Sequence, residues 1–337
     1  MKKTILLLMI ILLNINAFAQ TKQEIYCNSD IVWAGIIDMD FVVDADTNTN
    51  WKEYVISDLD NWFQQKTTET NPTKTLNELI LENVETLQFY EYDSLKYEKH
   101  YQSLELSDPL HEPETYGDNG KPFSAKAFNV FRLKCFFYYD KSTLDFKIVP
   151  QAVGVLRPIY DAPDEVLNYN ILGWLPIEHV VIEALEQSKS VKINDEKSVL
   201  KFQFQRDIPF YAAKVFKQEW TDEEAIDDFM TKIRQKAETI ELYEPYENEQ
   251  MDSETIKTLG LDEITALRFD AYEETQEYVP WSTEMYQGIR FSMNWFWNEE
   301  TKSLSLLTTD FSPLIFVEDD GGSVLGIQAL FKKSYGF

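Results

Sequence analysis

The sequence predicts an α+β fold of two tandem similar domains, each with N-terminal helices packed on an antiparallel β-meander. Three observations predict it. Apolar residues at helical spacing open each half, and short alternating strands with polar turns close each half. An aromatic run also returns almost intact: residues 131–140 are matched by residues 289–298 at an offset of 158. Within it, Phe136-Phe137-Tyr138-Tyr139-Asp140 parallels Asn294-Trp295-Phe296-Trp297-Asn298. Upstream, Thr86-Leu87-Gln88-Phe89-Tyr90-Glu91 parallels Thr239-Ile240-Glu241-Leu242-Tyr243-Glu244, and downstream Val166-Leu167 parallels Val324-Leu325. Matches in one order at nearly one spacing predict an internal duplication.

The chain opens with Lys2 and Lys3, an apolar stretch over residues 5–13, and Ala17-Phe18-Ala19 before Gln20. This is the pattern of a signal peptide, residues 1–19, cleaved after Ala19, and it predicts an exported, periplasmic protein. The apolar stretch is too short to span a bilayer, and no later segment approaches about 20 consecutive apolar residues, so no membrane insertion is expected. Gln20, not Cys, follows the cleavage site, which argues against a lipid anchor. The first unit then runs over residues 20–190 and the second over 191–337, divided in the polar stretch 187–198. Of the 337 residues, 31 are Lys or Arg and 58 are Asp or Glu; the net charge of -27 argues against nucleic acid as a partner.

Helices are expected first. Trp51, Tyr54, Val55, Leu59, Trp62 and Phe63 repeat at helical spacing, as do Leu76, Leu79, Ile80 and Val84 after Pro72. In the second half, Thr221 and Glu224 form a capping box ahead of Ile226, Phe229, Met230, Ile233, Ala237 and Ile240 on one face. Strands follow. Leu144, Phe146 and Ile148 alternate with polar residues, and so do Leu304 and Leu306. Asp140-Lys141-Ser142, Asn298-Glu299-Glu300-Thr301 and Asp319-Asp320-Gly321-Gly322 are expected hairpin turns. Pro176 opens a third helical pattern through Val180, Val181, Ala184 and Leu185, while residues 94–129 read as an inserted surface loop.

Chemistry-bearing motifs are absent from the sequence. There is no Gly-x-Ser-x-Gly, no phosphate-binding loop and no Gly-x-Gly-x-x-Gly, so no catalytic residue or cofactor is assigned. Asp44-x-Asp46-x-Asn48 begins like a calcium loop, but Thr49 stands where Gly is needed and Val55 where Glu is needed. His100, His111 and His179 share no close spacing, and no metal site is assigned. Cys27 and Cys135 allow two readings, a disulfide closing a loop of about 100 residues or, favoured, two buried free thiols. The remaining candidates are aromatic. Four aromatic residues in a row place two on each face of a strand, so Tyr138 and Tyr139 in one unit, and Trp295, Phe296 and Trp297 in the other, are candidate interaction residues unless both faces are covered.

Tyr138-Tyr139-Asp140-Lys141-Ser142 after Phe136-Phe137, and residues 294–300 with Lys302-Ser303 beyond, resemble the Asp-Trp-Phe-Phe-Asp-Lys hairpin of the gliding-motility GldN/PorN family. An alternating strand, Pro158 or Pro313, an acidic turn and an apolar strand ending Leu172-Gly173-Trp174 or Ala329-Leu330-Phe331 follow, where that family has Leu-Phe-Trp. Asp30-Ile31-Val32-Trp33 with Ile36-Ile37-Asp38 resembles its opening, and Phe210-Tyr211-Ala212 does so more weakly. The resemblance implies a non-enzymatic structural or interaction protein of the periplasmic type IX secretion and gliding apparatus. It implies protein partners, among them an outer-membrane lipoprotein with which the family forms a ring. This chain differs in carrying two such units where the family carries one and a helical C-terminal segment. The alternative is a periplasmic binding module holding a peptide or small molecule in the cleft between the units; an enzyme ranks third.

Overall fold

The computed structural model describes residues 22–42, 52–55, 64–69, 76–83, 86–87, 89–93, 96–101, 130–162, 165–179, 198–247, 249–268, 273–298, 302–318 and 323–335. The expected signal peptide and the Asp44-x-Asp46-x-Asn48 segment lie outside the described residues.

Alternation along the aromatic strands builds the fold. In β6 (Val130–Asp140), Phe131, Leu133, Cys135, Phe137 and Tyr139 enter the main core, while Phe136 and Tyr138 enter a second cluster on the opposite face. In β14 (Tyr286–Asn298), Ile289, Phe291, Met293, Trp295 and Trp297 enter that same main core. Each strand is the middle of a ladder. β1 (Ile31–Val42), β6, β7 (Asp145–Ala162) and β8 (Glu165–Pro176) pair antiparallel in sequence order, and so do β10 (Ser198–Pro209), β14, β15 (Ser303–Glu318) and β16 (Val324–Ala329). The first sheet is extended beyond β8 by β4 (Phe89–Asp93) and β5 (Lys96–Tyr101), and beyond β1 by β11 (Lys214–Gln218). The second is extended beyond β10 by β3 (Gln64–Glu69) and β2 (Lys52–Val55); β9 (Glu178–His179) and β17 (Lys333–Ser334) also pair with β15.

Strands therefore cross between the two halves of the sequence. β3 pairs with β10, with Phe204 opposite Thr67, and β11 pairs with β1, with Ile36 opposite Lys214. Gly35 permits the second crossing, because a Cβ there would stand 2.8 Å from the Ala213 Cβ. The sheets share one interior. Phe137 of β6 meets Phe291 of β14 edge-on at 5.6 Å between ring centroids, and Phe146 of β7 meets Phe311 of β15 at 6.3 Å. Tyr335 donates to the Phe146 carbonyl and Lys333 reaches Asp145, fastening the end of the second half to β7 of the first.

Four α-helices are described: α1 (Lys22–Cys27), α2 (Leu76–Asn83), α3 (Asp222–Gln235) and α4 (Ser253–Thr258). Only α3, at 14 residues, is long; its capping box forms, with the Thr221 hydroxyl accepting from the Glu224 N–H and the Glu224 carboxylate accepting from the Thr221 N–H. Ala225, Ile226, Phe229, Met230 and Ile233 line its buried stripe, and Phe229 touches Tyr139, Phe146, Phe311 and Phe331. β12 (Leu261–Arg268) and β13 (Glu273–Pro280) make a separate two-stranded ribbon.

The expected α+β architecture, helices packed on a meander in each of two domains, is overturned. The chain is mostly β, and each meander packs its aromatic face on the other meander, so no separate bed of helices is needed for either. Two expected helices fail locally. Lys52–Val55, within the Trp51 to Phe63 pattern, pairs with β3, and Glu178–His179, within the pattern after Pro176, pairs with β15. Tyr and Val favour a pleated surface wherever a partner strand is present, and in β2 that preference outweighs a three- and four-residue spacing. Part of the expected 94–129 loop is also strand, since Lys96–Tyr101 forms β5.

Candidate functional site

The two meanders correspond position by position. Asp40 lies opposite Arg132 and Asp207 lies opposite Arg290. Each arginine donates Nε to one carboxylate oxygen at 2.6 Å and Nη2 to the other at 2.8 Å, a bidentate fork in both units. Two residues along, Asp38 faces Lys134 at 3.4 Å, and the corresponding Gln205 Nε2 donates to the Ser292 hydroxyl at 3.1 Å. A bulge follows Lys134 in one ladder and Ser292 in the other, and Leu144 and Lys302, in the turns beyond, both have φ of 55°. Tyr90 bridges to Trp174 as Tyr243 bridges to Lys332.

The candidate interaction residues lie inside this frame. Tyr139, Trp295 and Trp297 are fully buried in the shared core, and Tyr138 is 3% exposed in the outer cluster with Ile25, Ile31, Ala34 and Phe136. The Phe296 side chain lies outside the described residues. Both faces of β6 are covered, the inner by the other sheet and the outer by α1 and by Phe216 of β11, whose ring stands 5.9 Å from Phe136. Tyr138, Tyr139, Trp295 and Trp297 therefore present no docking surface. The cysteines separate likewise: Cys27 on α1 is exposed, Cys135 is buried, and both are free thiols, so the disulfide reading fails and the reading of two buried thiols holds only for Cys135. Burial, and secondarily the Asp38 charge, push the Cys135 thiol well up, which keeps it protonated and unreactive.

No protein-family model matches the chain, and no curated protein matches it.

Polar side chains near the core are structural in arrangement. The Tyr139 hydroxyl donates to Asp228 at 2.8 Å, and Lys232 reaches the same oxygen at 2.9 Å. Burial first, then the Asp228 carboxylate, push the Tyr139 phenol far up. Beside them lies an open depression of about 320 Å³ lined by Trp220, Glu224, Asp227, Asp228 and Thr231. Glu224 is held in the helix cap, Asp228 serves Tyr139 and Lys232, and the Lys141 ammonium stands 5.7 Å from the Trp220 ring centre. The depression thus belongs to the scaffold that seats α3. Among the described residues, no group of three His, Cys, Asp or Glu side chains could hold a metal ion. His179 lies in β9, His100 lies in β5 with its side chain undescribed, and His111 lies outside the described residues. No described helix is long and apolar enough to cross a membrane.

The large exposed apolar side chains sit elsewhere, at Tyr26, Tyr211, Tyr246, Tyr278 and Leu325 among others. No local pattern marks most of them as exposed, since Tyr211 and Tyr278 stand beside other apolar residues as a buried side chain would. The exception carries a local signal: Leu325 belongs to β16, Val-Leu-Gly-Ile-Gln-Ala, six residues without a charge.

Proposed function

We propose that the chain is a non-enzymatic, exported structural or interaction protein, a component of the periplasmic type IX secretion and gliding apparatus of the kind the GldN/PorN family represents. The observation that carries this reading is the use made of the aromatic hairpins. The motif that resembles the family occupies the same ladder position in both units, and its inward residues Phe137, Tyr139, Trp295 and Trp297 weld the two sheets into one aromatic interior. An interior of that kind supports a rigid body that offers its margins to partners. It does not favour the alternative binding module, because Phe137 and Phe291, with Phe146 and Phe311, are in ring contact where a ligand between the units would sit. Export rests on the leader of residues 1–19.

Chemical crosslinking in intact cells followed by purification of the chain tests this. The expected result is crosslinks to the outer-membrane lipoprotein of the secretion ring and an N-terminus at Gln20. Recovery in the cytoplasm with Met1 in place, or crosslinks that never include a secretion component, overturns it.

A further inference from the structure

β16 ends its sheet, and among the described residues no strand pairs with its outer edge. A strand margin is a row of unpaired N–H and C=O groups, and proteins blunt such margins with charged side chains. The other margins follow that rule. β11 reads Lys-Val-Phe-Lys-Gln, β5 Lys-Tyr-Glu-Lys-His-Tyr and β2 Lys-Glu-Tyr-Val. β16 breaks it, with no charge in six residues. A bulge between Val317 and Glu318 of β15 leaves Leu325 without an opposite residue, and its side chain is 67% exposed, the most of any large apolar residue among the described ones. At Gly326 an added Cβ would meet no atom within 4 Å, so the sheet face at that residue is open.

We propose that the β16 edge is a strand-addition site, taking an extended segment of a partner protein in which apolar residues alternate and Lys or Arg stand at the ends. Backbone pairing along residues 324–329 supplies the register and Leu325 the apolar contact. The basic ends follow from charge. The chain carries a net -27, and Glu318-Asp319-Asp320 precede the strand in sequence, separated from it by Gly321-Gly322-Ser323. The same charge opposes the other simple occupant, a second copy of this chain, since two bodies of -27 repel on approach. The assignment rests on the reading of the chain as an interaction protein and adds the partner's chemistry to it.

Fluorescence anisotropy with the mature chain tests the site. The probe is a labelled peptide of about eight residues with alternating Val and Thr and two Lys at each end. It is expected to bind, to weaken about tenfold when the Lys residues are replaced by Glu, and to lose binding when alternate backbone amides are N-methylated. Leu325→Lys, at an exposed position, is expected to weaken the probe about tenfold with thermal stability unchanged. Failure of the Lys-flanked peptide to bind, equal binding of its N-methylated form, or indifference to Leu325→Lys overturns the assignment. A dimer in light scattering that Leu325→Lys splits also overturns it, by giving the edge to a second copy. If the lipoprotein still crosslinks to the Leu325→Lys chain, the edge assignment fails alone. If the peptide binds as expected and no secretion component is recovered, the secretion reading fails alone.

Discussion

Arg290 grips Asp207 through two parallel hydrogen bonds with the Asp207 side chain fully buried, whereas Arg132 grips Asp40 at the corresponding register with both side chains a third or so exposed. One bonding pattern in two environments separates the effect of burial from that of geometry. Asp207→Ala leaves a buried guanidinium without its anion and is expected to cost about 3–5 kcal/mol, while Asp40→Ala is expected to cost at most about 1 kcal/mol. Urea denaturation of the two variants, read at unchanged m-value, checks the difference.

The aromatic hairpins are expected to behave as core. Trp297→Ala empties a fully buried site and is expected to cost about 3–5 kcal/mol. Tyr139→Phe keeps the ring and removes only the donor to Asp228, so a loss of about 1–3 kcal/mol is expected. Thermal denaturation reads both. A Trp297→Ala protein that melts with the parent refutes the packing described.

Because β3 completes the ladder of β10 and β11 completes that of β1, residues 20–190 and 191–337 expressed apart are each expected to lack a strand and half of the core. Each fragment alone should show broad, poorly dispersed NMR spectra. Mixing the two should restore the dispersion of the intact chain. Fragments that fold independently would show the exchange to be dispensable.

Alkali is expected to unfold the protein cooperatively. Burial raises the Tyr286 phenol to about 12, and it raises the Tyr139 and Tyr335 phenols as well. A raised folded value means that the unfolded chain releases its protons first. The stabilisation is therefore complete below about pH 10, where free tyrosine ionises, and is lost as the pH climbs towards the folded values. Absorbance of tyrosinate should rise in two steps, exposed residues first and these three together with loss of circular dichroism.

At Gly35 the Cβ of an alanine would stand 2.8 Å from the Ala213 Cβ, with backbone on both sides to resist movement. Gly35→Ala is expected to cost about 1–3 kcal/mol by overpacking. Gly326→Ala, where the space is open, is expected to be tolerated. Paired melting curves check the contrast.

The parallel between β6 and β14 was legible because it lies within a local run of residues: the aromatic stretch and the following turn recur at one offset. The Asp–Arg pairing, which joins residues more than eighty apart, was not. The helix at Thr221 was legible for the same reason, since a capping box is closed by residues three apart. What covers Tyr138 was not. Its outer cover comes from Ile25 and Phe216, more than a hundred residues before it in one case and nearly eighty after it in the other, and no local pattern encodes which strand will arrive there. The apparent helix at Trp51 failed similarly, because pairing of Tyr54 with Gln65 outweighs local spacing. The sequence placed Leu325 only as the counterpart of Leu167; its exposure depends on the order of strands in a sheet, which the alternation of a single strand does not specify.

The pairing of Ile36 with Lys214 also dictates an order of events at birth. A chain is made from its N-terminus, so β1 leaves the ribosome long before β11 exists, and the aromatic face of β6 emerges while β14 is still untranslated. Until then a sticky half-sheet has no legitimate mate within its own molecule. Biogenesis must bridge that interval, either by holding the nascent chain extended or by delaying collapse until the last strand, β17, can lock Lys333 onto Asp145. Variants that hasten early collapse of the first half should therefore lower the yield of native protein even when they raise its final stability.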